Sequence, residues 1–226
     1  MKNRGYLSKS EIIKLKLDIG KNNLISRNVR FYSKTLKIGN NCRIDDDVVL
    51  KGKVVLKNNI HLARGCTLSG GDKGIFIDNL TAISNYVQIY SGSDDYRREY
   101  IPSANLSKKM MEKYSKIYSD KIKIGKAVLI GNMSCLLPGA VFEDFSSCSA
   151  YSIVNFLVKS GQFINGNFKK KILYQRDLRV MKDKYLKIMT DLKIDGGHGK
   201  NWTCYFYDVN VAFYQWTTCP FILRLI

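Results

Sequence analysis

Two adjacent carboxylates are the first residues whose types suggest chemistry. Asp94 and Asp95 lie in the polar, aromatic stretch Tyr90-Ser91-Gly92-Ser93-Asp94-Asp95-Tyr96, in a chain of 226 residues with 19 acidic side chains against 37 basic ones. Neighbouring carboxylates repel, which raises the pKa of one and makes it a better general base near neutral pH. The same pair also suits an ordinary solvated turn. The chain has two histidines. His61 follows Ile60 and points outward, as surface decoration or as an imidazole base. His198 lies in Gly196-Gly197-His198-Gly199 and offers no evident chemistry. The six cysteines form no CxxC pair, so zinc and redox readings are weak and no metal is expected. The net charge of +18 raises a nucleic-acid reading, but the basic residues are scattered and no nucleic-acid motif occurs. A solvated basic surface, drawn to anionic lipid or to an anionic cofactor, accounts for the charge, and no nucleic-acid partner is expected.

The elements that position these residues follow from a period of six. Aliphatics recur at Ile38, Ile44, Leu50, Leu56, Leu62 and Leu68, with small or β-branched residues four places on at Cys42, Val48, Val54, Ile60 and Cys66. Six matches neither the helical period of 3.6 nor the strand period of 2. It is the period of a hexapeptide coil, in which three flat faces close a triangular solenoid and the aliphatic points inward. The residue after each aliphatic (Gly39, Asp45, Lys51, Lys57, Ala63, Ser69) is the expected corner. The phase begins at Ile19, Ile25 and Phe31, slips by one at Ser33–Thr35, and steps by nine from Leu68 to Ile77 across a turn with three glycines. It stops after Ile89 and returns at Ile124, Ile130, Leu136, Phe142, Cys148 and Val154, giving about six coils. Glu143 and Phe145 read as decay of the late corners.

The organisation expected is a capping segment at 1–17, a β-helix domain at 18–160 with an excursion at 90–121, a basic turn and C-terminal helix at 161–193, and an aromatic tail of unknown role at 194–226. Ser8 or Ser10 with Glu11 marks a cap for a short first helix. Met110, Met111, Tyr114 and Ile117 fall at helical spacing within the excursion. Leu178, Met181, Tyr185, Ile188 and Leu192 form one face of a helix from about Arg176 to Leu192, fit to pack on the solenoid wall. A long departure from a regular scaffold is commonly where function sits. No stretch reaches the ~20 apolar residues of a membrane span, and the Lys-rich start lacks a signal-peptide core, so a cytoplasmic protein is the default.

The motifs NCRIDDDVVLKG, NNIHLARGCTLSGG, IYSGSDDY, KIKIGKAVLIGNMSCLLPGAV and FINGNFKKKI, with the opening YLSKSEIIKLKLDIGKNNLIS, resemble the left-handed β-helix acyltransferases over residues 5–190. The likeness is to the galactoside and colanic-acid types of sugar O-acetyltransferase. The resemblance implies an all-β solenoid, a left-handed parallel β-helix of hexapeptide repeats with a protruding loop and a C-terminal α-helix. It implies a homotrimer, acetyl-coenzyme A as donor, and active sites in the clefts between subunits.

In the colanic-acid type a Gly-Ser-His-Asp-Tyr segment supplies the base. The matching residues here are Gly92-Ser93-Asp94-Asp95-Tyr96, with Asp94 where the histidine would be. The base is then Asp94 beside Asp95, or His61 brought across a cleft, or none, with proximity sufficing for a good nucleophile such as an amine. By position, Arg64, Asp72 and Tyr96 are expected on the acceptor. Ser134, Ala150 and Ser152 match the donor run, where backbone groups beside small residues hold the pantetheine arm, and Lys170 matches the phosphate ligand. Phe156 and Phe168 depart from the family's Lys and Pro.

The function expected is acetyl transfer from acetyl-coenzyme A to a sugar hydroxyl in surface polysaccharide biosynthesis. N-acetylation of a nucleotide-linked amino sugar and a non-catalytic trimeric solenoid are the alternatives. Peripheral association with the cytoplasmic membrane face is compatible with each.

Overall fold

An inward aliphatic every six residues places successive strands on successive faces of a triangular coil. In the computed structural model, which describes residues 5–33, 35–95, 100, 102, 107–166 and 171–194, the chain does this through six full coils and two faces of a seventh. Sheet 1 stacks Asp18–Ile19, Lys37–Ile38, Val54–Leu56, Ile75–Ile77, Ile122–Ile124, Val141–Phe142 and Leu157–Val158. Sheet 2 stacks Leu24–Ile25, Arg43–Ile44, His61–Leu62, Ala82–Ile83, Leu129–Ile130, Ser147–Cys148 and Gln162–Asn165. Sheet 3 stacks Arg30–Tyr32, Val49–Lys51, Thr67–Ser69, Gln88–Tyr90, Cys135–Leu136 and Ile153–Val154. All these pairings are parallel, and the antiparallel strand Lys171–Gln175 closes sheet 2. The result is the left-handed β-helix that the sequence implied.

Register keeps the inward residues in columns. In sheet 1, Ile38 pairs with Leu56, Leu56 with Ile77, Ile77 with Ile124, and Ile124 with Phe142. Each is at most 3% exposed. At roughly 25 cal/mol per Å² of apolar area, each such side chain contributes about 1.5–3 kcal/mol. The step of nine between Leu68 and Ile77 is absorbed by a turn closed by Gly74 N–H donating to the Gly70 carbonyl at 2.7 Å, so the column continues.

The corners differ from the expectation. The left-handed backbone falls three residues after the inward aliphatic, not one. Asn22, Asn41, Asp47, Asn59, Leu80, Tyr86, Ala127, Met133, Phe145 and Tyr151 all have φ between 51° and 63°. Glycine directly after the aliphatic answers to a different constraint. A Cβ on Gly39 would sit 2.5 Å from the Lys57 carbonyl oxygen of the next coil. The late corners hold as well. Phe145 turns its corner while 5% exposed, its ring edge-on to Tyr185 at 5.9 Å.

Helix α1 (Lys9–Lys14) covers the first coil. Ser8 caps it with a reciprocal Glu11 box, and Leu7, Ile12 and Leu17 pack against the core. Arg27, then Ser8, hydrogen-bond the Glu11 carboxylate and hold its pKa at about 2. In the excursion, α2 is limited to Lys108–Tyr114, and Ile117 lies instead in a strand, Ile117–Ser119. Helix α3 spans Leu178–Ile194. Two compact units divide at Ile188 and Met189, and of the second only the end of α3 is described. The aromatic tail lies outside the described residues. No helix among the described residues is long and apolar enough to cross a membrane.

Asn59 sits at φ 56° on such a corner. Asn59→Val puts a β-branched residue in left-handed backbone and is expected to destabilise the fold by about 1–2 kcal/mol in urea denaturation, while Asn59→Gly costs a few tenths.

Candidate functional site

Within the six full coils, among the described residues, the chain leaves the six-residue path at the edge between sheets 3 and 1. Gly92–Asp94 leaves the fourth coil there and pairs antiparallel with Ile117–Ser119, Asp94 opposite Ile117. Asp95 N–H donates to the Lys116 carbonyl at 2.8 Å. The base of this hairpin is pinned to the turn one coil below: Ser91 N–H donates to the Ser69 carbonyl at 3.0 Å, and the Ser91 hydroxyl donates to the Gly70 carbonyl. Asp72 is exposed on that turn, Asp94 is half-buried and Asp95 is buried. The structure therefore gathers Asp72, Asp94 and Asp95 on one edge. Tyr96 lies outside the described residues.

His61 and Arg64 lie elsewhere, at the edge between sheets 2 and 3. His61 projects from sheet 2, with Nε2 2.8 Å from Asp45 Oδ2, and Arg43 Nε donates to the other Asp45 oxygen at 2.7 Å. Burial of Asp45 works to raise its pKa, but the hydrogen bonds from His61 and Arg43 outweigh it and hold the carboxyl below the usual range. Arg64 is exposed and donates to Asp47 at 3.1 Å. One face of the prism separates this pair from Asp72 and Asp94. At about 3.3 Å per extended residue, a six-residue face spans on the order of 15–20 Å. The two candidate bases, Asp94 and His61, thus stand on different edges of one chain, as do Arg64 and Asp72.

The donor-run residues continue up the edge between sheets 2 and 3. Ser134 and Ser152 are fully buried, and their hydroxyls face inward: both donate to the Ser149 carbonyl, at 3.1 and 2.9 Å, and Ser134 Oγ accepts from Ser152 N–H at 3.1 Å. Ala150 is half-buried at the corner, and Lys170 lies outside the described residues. Small inward serines draw the outer surface to backbone, which suits a ligand recognised by main-chain groups.

Three features of this edge escaped the sequence reading. The left-handed corner positions of its fourth, fifth and sixth coils hold Tyr86, Met133 and Tyr151, exposed by 45, 44 and 58%. Large apolar side chains in strained, solvated positions form a ridge there, where the earlier coils use Asp47 and Gly65. The backbone N–H groups of Asn85, Asn132 and Ala150, one per coil, have no protein partner among the described residues. Asn132 Oδ1 is buried and likewise unpaired. Asn132 could have been found from its phase, two residues after Ile130, had the true corner position been known.

A cavity of about 580 Å³ opens on sheet 1, over Val55, Phe76, Lys123 and Val141, and none of the sequence-nominated residues lines it. Among the described residues no group of His, Cys, Asp or Glu is arranged to hold a metal ion.

No family model matches the chain. Over 140 residues it is 32% identical to the dTDP-4-amino-4,6-dideoxy-D-glucose acyltransferase of Escherichia coli, a span covering 60% of this chain and 70% of that protein. A crystal structure of an aspartate-to-alanine variant of AntD, an N-acyltransferase from Bacillus cereus, in complex with dTDP and coenzyme A, superposes with a TM-score of 0.75 at 25% identity, covering 82% of this chain and 98% of that one. A complex of AntD with dTDP and 3-hydroxybutyryl-CoA gives a TM-score of 0.73 at 26% identity, covering 82% and 98%. The solved AntD variants carry replacements of an aspartate or of a serine ten positions before it, and a serine variant was solved with dTDP-4-amino-4,6-dideoxyglucose and coenzyme A.

The depressed Asp45 carboxyl gives the site a pH signature. A carboxyl with a folded pKa below its unfolded one contributes stability that is fully present above the unfolded pKa, near 4, and is lost as pH falls through the folded value. Asp45→Asn removes that contribution, so it is expected to lower stability at pH 7 and to flatten the loss of stability below about pH 4, read by urea melts across pH.

Proposed function

The chain belongs to the hexapeptide-repeat, left-handed β-helix sugar acyltransferases, and from that premise we propose that it transfers an acyl group from a coenzyme A thioester to the amine of a dTDP-linked amino sugar. The observation that carries this reading is the match to the E. coli dTDP-amino-sugar acyltransferase over most of that protein's length. The chemistry of the 92–96 segment supports it. A hydroxyl needs a base near neutral pKa at the moment of attack, whereas a neutral amine is already a good nucleophile. Here the segment offers carboxylates and no imidazole, which moves the proposal from the O-acetylation expected of the sequence to N-acylation.

The half-buried Asp94 carboxylate accepts a hydrogen bond from the sugar amine and aligns its lone pair on the thioester carbon. The N–C bond forms, the C–S bond breaks, and the proton released from nitrogen passes by way of Asp94 to the leaving thiolate, giving an amide and free coenzyme A. Main-chain N–H groups stabilise the developing oxyanion. Asp95, buried at the hairpin base, holds the strand that presents Asp94, and Asp72 meets the sugar from the turn below. Lys170 meets the coenzyme phosphates.

The donor fits the edge between sheets 2 and 3. Its unpaired N–H groups and the Asn132 oxygen offer donors and an acceptor to the carbonyl and N–H groups of a pantetheine arm, and the Tyr86–Met133–Tyr151 ridge suits its apolar parts. Ser84 lies on this donor edge and precedes Asp94 by the ten residues that separate the serine and aspartate replaced in AntD. In one chain a face divides Ser84 from Asp94, yet reacting groups must approach to about 3–3.5 Å. We therefore assign the site to two subunits, the donor edge of one facing the acceptor edge of the next, as a homotrimer provides. The product would be an activated amino sugar for glycan assembly, such as a surface polysaccharide.

Thiol release from acetyl- and 3-hydroxybutyryl-coenzyme A tests the reading, with dTDP-4-amino-4,6-dideoxyglucose and its 4-hydroxy counterpart as acceptors. Turnover of the amino sugar alone is expected, with Asp94→Ala lowering kcat by about 10²–10⁴ while donor affinity holds. His61→Ala serves as the control and is expected to leave kcat within a few fold. Turnover of the hydroxy sugar alone overturns the amine assignment, and a wild type that neither turns over nor binds coenzyme A leaves a non-catalytic solenoid. Mixing inactive Asp94→Ala with inactive Ala150→Trp before reassembly is expected to restore activity, because some clefts then join two intact edges. No recovery from stable mixed assemblies would return the site to a single chain.

A further inference from the structure

Among the described residues, two buried side-chain polar atoms lack a hydrogen-bond partner: Ser115 Oγ in the excursion and Asn132 Oδ1 on the edge between sheets 2 and 3. A buried, unpaired acceptor costs roughly 1–3 kcal/mol in desolvation, so its place in a fold calls for a reason.

The edge between sheets 1 and 2 shows what an asparagine in this phase does when its role is structural. Two residues after the inward aliphatic, Asn40 Oδ1 accepts Lys21 N–H at 2.7 Å, Asn58 Oδ1 accepts Asn40 N–H at 2.8 Å, and Asn79 Oδ1 accepts Asn58 N–H at 2.9 Å. Asp144 does the same for Lys126 N–H at 2.9 Å. Each side chain seals the exposed amide of the coil before it. Asn132 holds the same phase on the next edge, where its counterpart would be Asn85 N–H. That bond is not made. Asn85 N–H and Asn132 Oδ1 are both left open, one coil apart.

The surroundings of Asn132 point outward to a ligand. Its own carbonyl is used, accepting Tyr151 N–H at 2.8 Å, so the backbone is fixed while the side-chain amide stays free. A Cβ on Gly131 would lie 2.3 Å from the Ser149 carbonyl carbon, which brings the fifth and sixth coils into backbone contact beneath the amide. Met133 and Tyr151 flank it, exposed and at positive φ, and Ala150 stands directly above it without bulk. An unpaired acceptor between apolar walls matches an extended chain that alternates amide and hydrocarbon.

We propose that Asn132 is a donor-binding residue, its Oδ1 accepting an amide N–H of the coenzyme A pantetheine arm, with Met133 and Tyr151 packing on the neighbouring methylenes. The assignment rests on the donor edge of the proposed function and adds a side-chain contact to its main-chain contacts.

Coenzyme A alone, without acceptor, is the probe, titrated by calorimetry into wild type, Asn132→Ala, Asn132→Asp and Tyr151→Asn, with thermal melts of each protein with and without it. Asn132→Ala is expected to weaken binding about tenfold, the loss of one hydrogen bond, and to melt at or above the wild-type temperature without ligand, since it removes an unpaired buried group. Asn132→Asp keeps an acceptor oxygen and is expected to bind within a few fold of wild type. Tyr151→Asn, in a residue type that tolerates left-handed backbone, is expected to weaken binding several fold. Wild-type affinity in Asn132→Ala, with a lowered ligand-free melting temperature, overturns the proposal and makes Asn132 a rung of a structural ladder. A wild type that binds no coenzyme A overturns the donor edge itself, and with it this assignment.

Discussion

Stacking of identical backbone geometry, one coil on the next, is the constraint on which this structure depends. Every coil lends its N–H and C=O groups to its neighbours in parallel register, as when Arg43 N–H donates to the Ile60 carbonyl and His61 N–H to the Thr81 carbonyl, at 2.8 and 3.0 Å. The inward columns can then be apolar throughout, because the sheets leave few polar groups to satisfy inside. Departures must occur at a corner, and they must return in phase. The three-residue insertion before Ile75 and the excursion after Tyr90 both obey this, since Ile77 still pairs with Leu56 below and Ile124 above. The excursion is tolerated because its ends meet on one rung, with Asp120 N–H donating to the Ser91 carbonyl at 3.0 Å.

That regularity makes the differences between edges informative. The edge between sheets 1 and 2 is sealed by a ladder of side-chain amides and a carboxylate. The edge between sheets 3 and 1 is given over to insertions. The edge between sheets 2 and 3 begins with ion pairs, Asp45 with Arg43 and His61, and Asp47 with Arg64, and ends with unpaired amides under apolar side chains. The pairing of His61 with a carboxylate held ionised bears on its role. A histidine anchored in this way can orient or support charge, but from its own chain it does not reach the hairpin that carries Asp94.

The solenoid was legible in the sequence because burial imposes the six-residue period directly. Ile38 through Leu68 could serve no other fold with every aliphatic inside. The turning residue was not legible, because glycine has two uses. Gly39 stands after its aliphatic for close approach of the next coil, while the left-handed turn falls on Asn41. Taking the first for the second displaced the corners by two residues and concealed the phase shared by Asn40, Asn58, Asn79 and Asn132. The excursion misled for a related reason. Ile117 follows helical spacing from Met110, but pairing with Gly92–Asp94 wins over local propensity and ends the helix at Tyr114. The residues nominated for acceptor and donor were chosen by type and position along the chain, and a linear count carries no information about which edge each occupies.

Which edge a residue occupies decides the chemistry more than its type does. An aspartate in place of the imidazole looks like a loss if the reaction is O-acylation, since a carboxylate is a weaker base than an imidazole toward a hydroxyl. For an amine the demand is lower: the nucleophile must be aligned and relieved of a proton as the N–C bond forms, and a carboxylate that accepts its N–H does both. On that proposal the donor side needs no catalytic side chain, only an edge whose amides are open and whose walls are apolar, and the described residues supply one between sheets 2 and 3. On the proposed reading neither half is complete without an opposing edge: the stacking rule that keeps the two edges of one prism a face apart places the proposed chemistry at the contact between two copies.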